Sequence, residues 1–168
     1  MIIVYTGNGK GKTSACVGQA VRAAGRGLRV AFGQFMKRDG QAGEQKILRE
    51  LLAPSRFLAG GEGFFRREED RPIHRAAARI VLEWAAEQIG VCDVVVLDET
   101  LYALDAGLVS QVEIEGLIAE ARLSGCHLVL SGRGMPSWLS ELADLVTSMD
   151  EVKHPLAKGV KAAPGIEF

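Results

Sequence analysis

Cysteine is scarce in this chain. Cys16, Cys92 and Cys126 are odd in number and far apart, which excludes a disulfide framework. They lack CxxC spacing and a nearby histidine pattern, so no zinc site is indicated. Each lies in an apolar run and reads as a buried core thiol, which fits a reducing, cytoplasmic compartment. Long apolar runs are missing too. Met1-Ile2-Ile3-Val4-Tyr5 is too short and wrongly flanked for a signal peptide, and nothing approaches the length of a membrane span. Nor is there an excess of charge: a net charge of −1 argues against nucleic acid or a membrane surface as partner and for a small-molecule client. Histidine occurs three times, never in plausible spacing with a serine or cysteine nucleophile, so a catalytic triad is unsupported. His74 reads as a surface or packing residue and His127 as structural, whereas His154 stands in a lysine-rich tail.

What is present alternates strand and helix. With 168 residues, the chain is long enough for one domain with a substantial core. Residues 2–6 form an apolar run ending in a glycine-rich turn, as a buried parallel strand does. A helix is expected from Lys12 to about Ala24, closed by Gly25 and Gly27, then a strand over 28–36 and a helix over 44–52. A short strand over 55–59 leads into a loop over 60–71 that reads as mobile. Pro72 suits the first turn of a helix running to about Ile89. Asp93–Leu97 is a buried strand and Ser110 caps a helix with an acidic outer face. Strand 127–130, a short helix opened by Pro136 and a final strand over 145–149 complete the pattern. The expected fold is therefore three-layer α/β, a P-loop NTPase-like domain over 1–168 with a mostly parallel central sheet. Right-handed crossovers would bring residues 7–13, 98–99 and 131–134 to one edge of it.

The first of those loops carries the clearest chemistry: Thr6-Gly7-Asn8-Gly9-Lys10-Gly11-Lys12-Thr13, followed by Ser14. Glycines let backbone N–H groups face a triphosphate, and the following helix N-terminus adds positive potential. Lys12 supplies a mobile cation and the Thr13 hydroxyl a ligand for Mg²⁺. The strict G-x-x-x-x-G-K-[ST] spacing fails, however, because Thr6 stands where the first glycine belongs. Lys10 adds a second positive charge inside the loop.

Asp98-Glu99 ends an apolar strand, where an acidic pair can reach Mg²⁺ directly or through water. Arg133, between two glycines, can present its fork to phosphate. These parts alone read as a P-loop ATPase or small kinase with Mg-ATP, or as a binding module without catalysis. No acceptor site is evident.

Five segments resemble the corrinoid adenosyltransferases of bacterial cobalamin biosynthesis: Y-T-G-N-G-K-G-K-T-S at 5–14, V-V-L-D-E at 95–99, S-G-R-G at 131–134, E-L-A-D-L-V-T-S-M at 141–149 and the tail 152–168 ending G-I-E-F. The off-register loop and that ending are jointly specific, and the likeness runs from first strand to last residue. The resemblance implies transfer of the 5′-deoxyadenosyl group of ATP to the cobalt of a reduced Co(I) corrinoid, with release of triphosphate. It implies ATP as co-substrate with Mg²⁺ or Mn²⁺, a flavoprotein reductant and a homodimer. ATP would lie reversed, the loop gripping its terminal phosphates. Lys10, Lys12 and Arg133 would stabilise the leaving triphosphate, with Asp98 near the metal and Glu99 near ribose or metal. Phe64, Phe65 and His154 would meet the corrin, with Arg66 standing where relatives place an aromatic. Some relatives carry a segment before the first strand that covers the active site; this sequence opens on the strand, which leaves the closing of the site to be explained.

Overall fold

The computed structural model describes residues 1–154 and 159–166. Six strands form one sheet: β1 (Ile2–Thr6), β2 (Val30–Gln34), β3 (Phe57–Ala59), β4 (Val94–Asp98), β5 (His127–Ser131) and β6 (Leu145–Ser148). Their order is β3-β2-β4-β5-β1-β6, and every neighbouring pair is parallel. The helices are α1 (Lys12–Ala24), α2 (Gly43–Leu51), α3 (Arg71–Ile89), α4 (Thr100–Asp105), α5 (Gln111–Ser124) and α6 (Ser137–Leu142).

The strands read as unbroken apolar runs because both faces of the sheet are covered. Side chains alternate between two cores with a period of two. Ile2, Val4, Val95, Leu97, Leu128 and Leu130 join Val81 and Ala85 of α3 and Ile114 and Ile118 of α5 on one face. Ile3, Val94, Val96 and Val129 join Cys16 and Ala20 of α1 and Leu48 of α2 on the other. Each fully buried aliphatic side chain contributes about 1.5–3 kcal/mol, so the central strands anchor the domain. The three cysteines are free and buried, as their apolar surroundings imply.

Helix boundaries follow local chemistry. Ser110 accepts the Glu113 N–H and the Glu113 carboxylate bonds back to Ser110, a reciprocal cap for α5. Gly11, at φ +117°, makes the left-handed step into α1. Strand β2 is shorter than the 28–36 run, since Arg29 pairs with Asp93 at 2.8 Å ahead of the ladder. Only residues 57–59 of the 55–59 run are strand, because Pro54–Arg56 make a 3₁₀ turn. α4 is an addition; at six residues it is too short to show a helical period. The 60–71 stretch ends in a 3₁₀ turn over Glu68–Asp70 and is tied down by Gly61 N–H to the Lys37 carbonyl, 3.1 Å, and Tyr102 Oη to the Phe65 carbonyl, 3.4 Å.

His74 is buried with its ring edge-on to Phe65, and His127 is exposed beside the N-terminal amine. Trp84 is half-buried and donates to the Ser55 carbonyl, while Trp138 packs against the larger core from α6. No helix among the described residues is long and apolar enough to cross a membrane.

Candidate functional site

Strand β5 lies between β4 and β1, so the segments leaving all three meet at one edge. Asp98, the last residue of β4, is fully buried and receives hydrogen bonds from four side chains. Ser131 Oγ donates at 2.7 Å, Thr13 Oγ1 at 3.1 Å to Oδ2, and Gln34 Nε2 and Lys37 Nζ each at 3.3 Å. A carboxylate so far from water needs such partners, and here they come from β5, α1 and the end of β2. The 7–13, 98–99 and 131–134 segments therefore converge as the topology requires.

The phosphate loop is braced from behind by the end of β6. Gly9 N–H donates to the Met149 carbonyl at 2.7 Å, and Met149 N–H to the Thr6 carbonyl at 2.9 Å. A Cβ at Gly7 would stand 2.4 Å from the Met149 carbonyl oxygen, and one at Gly9 2.6 Å from that of Asp150. Glycine is thus required here for close backbone approach as well as for φ +97° at Gly7. Within the loop, Lys12 folds its ammonium onto the Gly7 and Gly9 carbonyls, both at 2.7 Å. Burial and the nearby Arg133 lower the Lys12 pKa against the pull of Glu99 and Asp98.

Glu99 follows Asp98 but lies elsewhere. Its φ of +62° is the only positive value at a non-glycine among the described residues. Such a conformation costs of order 1 kcal/mol or more in a non-glycine residue and here is held by the Glu99 N–H donating to Ser131 Oγ at 3.1 Å. The turn leaves Asp98 buried behind Thr13 and brings Glu99 to the wall of a cleft of about 690 Å³. Burial, then the adjacent Asp98, pushes the Glu99 carboxyl up from 4.5 to about 7, against Lys37, Lys12 and Arg133.

That cleft is lined by Gly9, Lys10, Gly11, Lys12, Thr13 and Ser14 on one side, with Lys37, Glu99 and Arg133 around them. Thr6, Gly7 and Asn8, the first part of the loop, do not line the cleft; Thr6 is buried and Asn8 is exposed. Phe64 and Tyr102 supply an aromatic corner, their rings edge-on with centroids 5.7 Å apart. Phe64 is 58 % exposed, so its apolar ring is offered to whatever enters. Phe65 turns the other way, against His74 and beneath the Arg71 guanidinium at 4.7 Å. The C-terminal segment returns over the loop: His154 and Ile166 line the cleft, and Lys10 Nζ donates to the Ile166 carbonyl. Pro155 and the last two residues of the G-I-E-F ending lie outside the described residues.

The cleft thus joins an off-register phosphate loop to an exposed aromatic ring. The whole chain, residues 1–168, matches the family model described as ATP:corrinoid adenosyltransferase BtuR/CobO/CobP. The chain belongs to this corrinoid adenosyltransferase family. It is 37% identical over 172 residues to a corrinoid adenosyltransferase of Pseudomonas aeruginosa, covering 100% of this chain and 83% of that protein. It is likewise 37% identical to one from Escherichia coli and 36% identical to one from Salmonella typhimurium. Each of those alignments covers all of this chain and 85% of the relative.

Within this corrinoid adenosyltransferase fold, residue reasoning overlooked the cluster beside Asp98. Lys37 donates to Glu44 at 2.7 Å as well as to Asp98, and Gln34 is held by Gln45 at 2.8 Å. The signal was available: Lys37 lies three residues beyond a strand whose C-terminal end had to share the edge with the phosphate loop.

Proposed function

We propose that this chain transfers the 5′-deoxyadenosyl group of ATP to the Co(I) of a reduced corrinoid and releases triphosphate. The observation that carries it is the single cleft that joins the displaced phosphate loop, the Asp98–Glu99 turn and the exposed Phe64 in a chain of this family. In this reaction the electron pair of Co(I) attacks C5′, a Co–C bond forms, and the C5′–O bond breaks with its electrons leaving on the triphosphate. Cobalt is formally oxidised from Co(I) to Co(III). The nucleophile belongs to the substrate, which is why the protein needs none.

The residues then have separable tasks. Backbone N–H groups of residues 11–13, at the start of α1, bind phosphate oxygens, and Lys12 leaves the Gly7 and Gly9 carbonyls to meet them. Lys10 and Arg133 spread positive charge along the departing triphosphate. Thr13 and Asp98 present a hydroxyl and a buried carboxylate 3.1 Å apart, hard oxygen donors of the kind Mg²⁺ or Mn²⁺ takes beside phosphates. A divalent ion held there would neutralise phosphate charge. Glu99 faces the same cleft and would contact ribose or metal. Phe64, with Tyr102 behind it, offers the apolar surface on which a corrin ring packs, and His154 faces the same space. We extend the proposal to a homodimer in a reducing, cytoplasmic setting, with a flavoprotein supplying the electron for Co(I), and to residues 1–168 working as one catalytic domain.

The test is to incubate the protein with Mg-ATP and chemically reduced cobinamide under anaerobic conditions. Appearance of the Co–C absorption spectrum supports the proposal, whereas an unchanged Co(I) spectrum at full ATP saturation contradicts it.

A further inference from the structure

Lys37 stands where two kinds of cation compete. Its ammonium lies 3.3 Å from Thr13 Oγ1 and 3.3 Å from Asp98 Oδ2, the two oxygens that serve a divalent ion in the reading above. Its shortest contact is with Glu44 Oε1 at 2.7 Å, and Gln34 Nε2 donates to both carboxylates, at 3.1 Å to Glu44 and 3.3 Å to Asp98. Lys37 is therefore held from three elements: the first turn of α1, the end of β4 and the first turn of α2.

Thr13 and Asp98 would hold a divalent ion through these same two oxygens. An ammonium 3.3 Å from the same two atoms would then face it at short range with like charge. The two cations therefore compete for these donors. Lys37 has to release Asp98 and Thr13, and the short bond to Glu44 keeps it nearby while it does so. Release is costly while Asp98 is the main counter-charge, and becomes easier once a polyphosphate brings further negative oxygens within reach of the side chain.

We propose that Lys37 is a built-in competitor for the divalent-metal position, so that metal enters together with the nucleotide and not before it. This rests on the assignment of Thr13 and Asp98 as metal donors and adds a positioning role for Lys37 to it. Because binding linkage is reciprocal, the same competition makes nucleotide and metal each tighten the other. The arrangement keeps the buried Asp98 compensated before substrate arrives, which a site of one carboxylate and one hydroxyl could not do unaided.

The experiment is a Mn²⁺ titration followed by the EPR signal of the free ion, on nucleotide-free wild type, Lys37→Gln and Lys37→Arg. Glutamine removes the charge but can still bridge Glu44 and Asp98. The Lys37→Gln protein is expected to bind nucleotide-free Mn²⁺ at least tenfold more tightly than wild type, Lys37→Arg to resemble wild type, and Lys37→Gln/Asp98→Asn to lose the gain. A Lys37→Gln protein that binds Mn²⁺ no more tightly than wild type overturns the proposal, and so does a gain that survives Asp98→Asn. Wild type alone also tests it: nucleotide-free binding as tight as binding in the presence of ATP would overturn it, whether or not the variants fold. A failure of the underlying metal assignment looks different. In that case Mn-ATP would bind equally well to wild type and Asp98→Asn.

Discussion

The hydroxyl of Thr13 lies 3.1 Å from Oδ2 of Asp98, although the two residues are 85 positions apart in the chain. The first turn of α1 and the end of β4 are thereby locked together at the point where phosphate and metal are expected. Thr13→Ala removes the proposed metal donor and one hydrogen bond to a buried carboxylate. Turnover with Mg-ATP should fall roughly a hundredfold, and steady-state kinetics should place most of the loss in kcat. Unchanged kinetics would remove Thr13 from the site.

Lys12 is the residue most committed to the loop, with its ammonium closing on the Gly7 and Gly9 carbonyls. Lys12→Ala frees two carbonyls beside the open cleft, so the fold should survive with a circular dichroism spectrum like that of wild type. ATP-dependent turnover should be abolished. Retained turnover would mean that the loop does not grip the phosphates.

Glu99 makes stability depend on pH in a stated direction. Its carboxyl is raised from 4.5 to about 7 in the folded protein by burial and by Asp98. A raised carboxyl favours the protonated folded form, so this contribution is fully present below pH 4.5 and is lost as pH rises through 7. Glu99→Gln keeps a neutral group at every pH. The variant should therefore be more stable than wild type at pH 8, by up to about 3 kcal/mol, and the gap should close near pH 4.5. Urea denaturation at the two pH values measures it, and a difference independent of pH would contradict the cause assigned.

Phe64 is exposed and touches Tyr102 edge-on, so Phe64→Ala should change stability by no more than about 0.5 kcal/mol. The corrinoid KM should rise several-fold to tenfold with the ATP KM unaltered. Phe65, packed on His74 under Arg71, should behave in the opposite way, losing melting temperature before corrinoid affinity. Thermal melts and substrate-dependent initial rates separate the two.

Much of this was legible in the sequence because the strands are buried on both faces. Val94 to Leu97 and Leu128 to Leu130 read as unbroken apolar runs, and runs separated by helical periods admit few folds other than a parallel sheet. The meeting of Thr13 with Asp98 follows from that topology. What topology does not transmit is side-chain direction. The positive φ at Glu99, which sends neighbouring carboxylates to different places, leaves no trace in composition or spacing. The opposite directions of Phe64 and Phe65 are set by α3 and α4, and α4 is too short to announce itself. Lys37 was overlooked for another reason. A lysine beyond a strand end looks like a solvated charge until Glu44 and Asp98 are known to flank it. The loop motif accounts for glycine N–H groups, whereas the approach of Gly7 and Gly9 to Met149 and Asp150 depends on a strand at the far end of the chain.

The central claim is that ATP is broken at C5′ and its three phosphates leave together. The most direct measurement is the phosphate product of a single turnover, using γ-labelled ATP, reduced corrinoid and anion-exchange separation. One intact triphosphate for each Co–C bond formed is expected. Release of ADP and orthophosphate in place of triphosphate would contradict it.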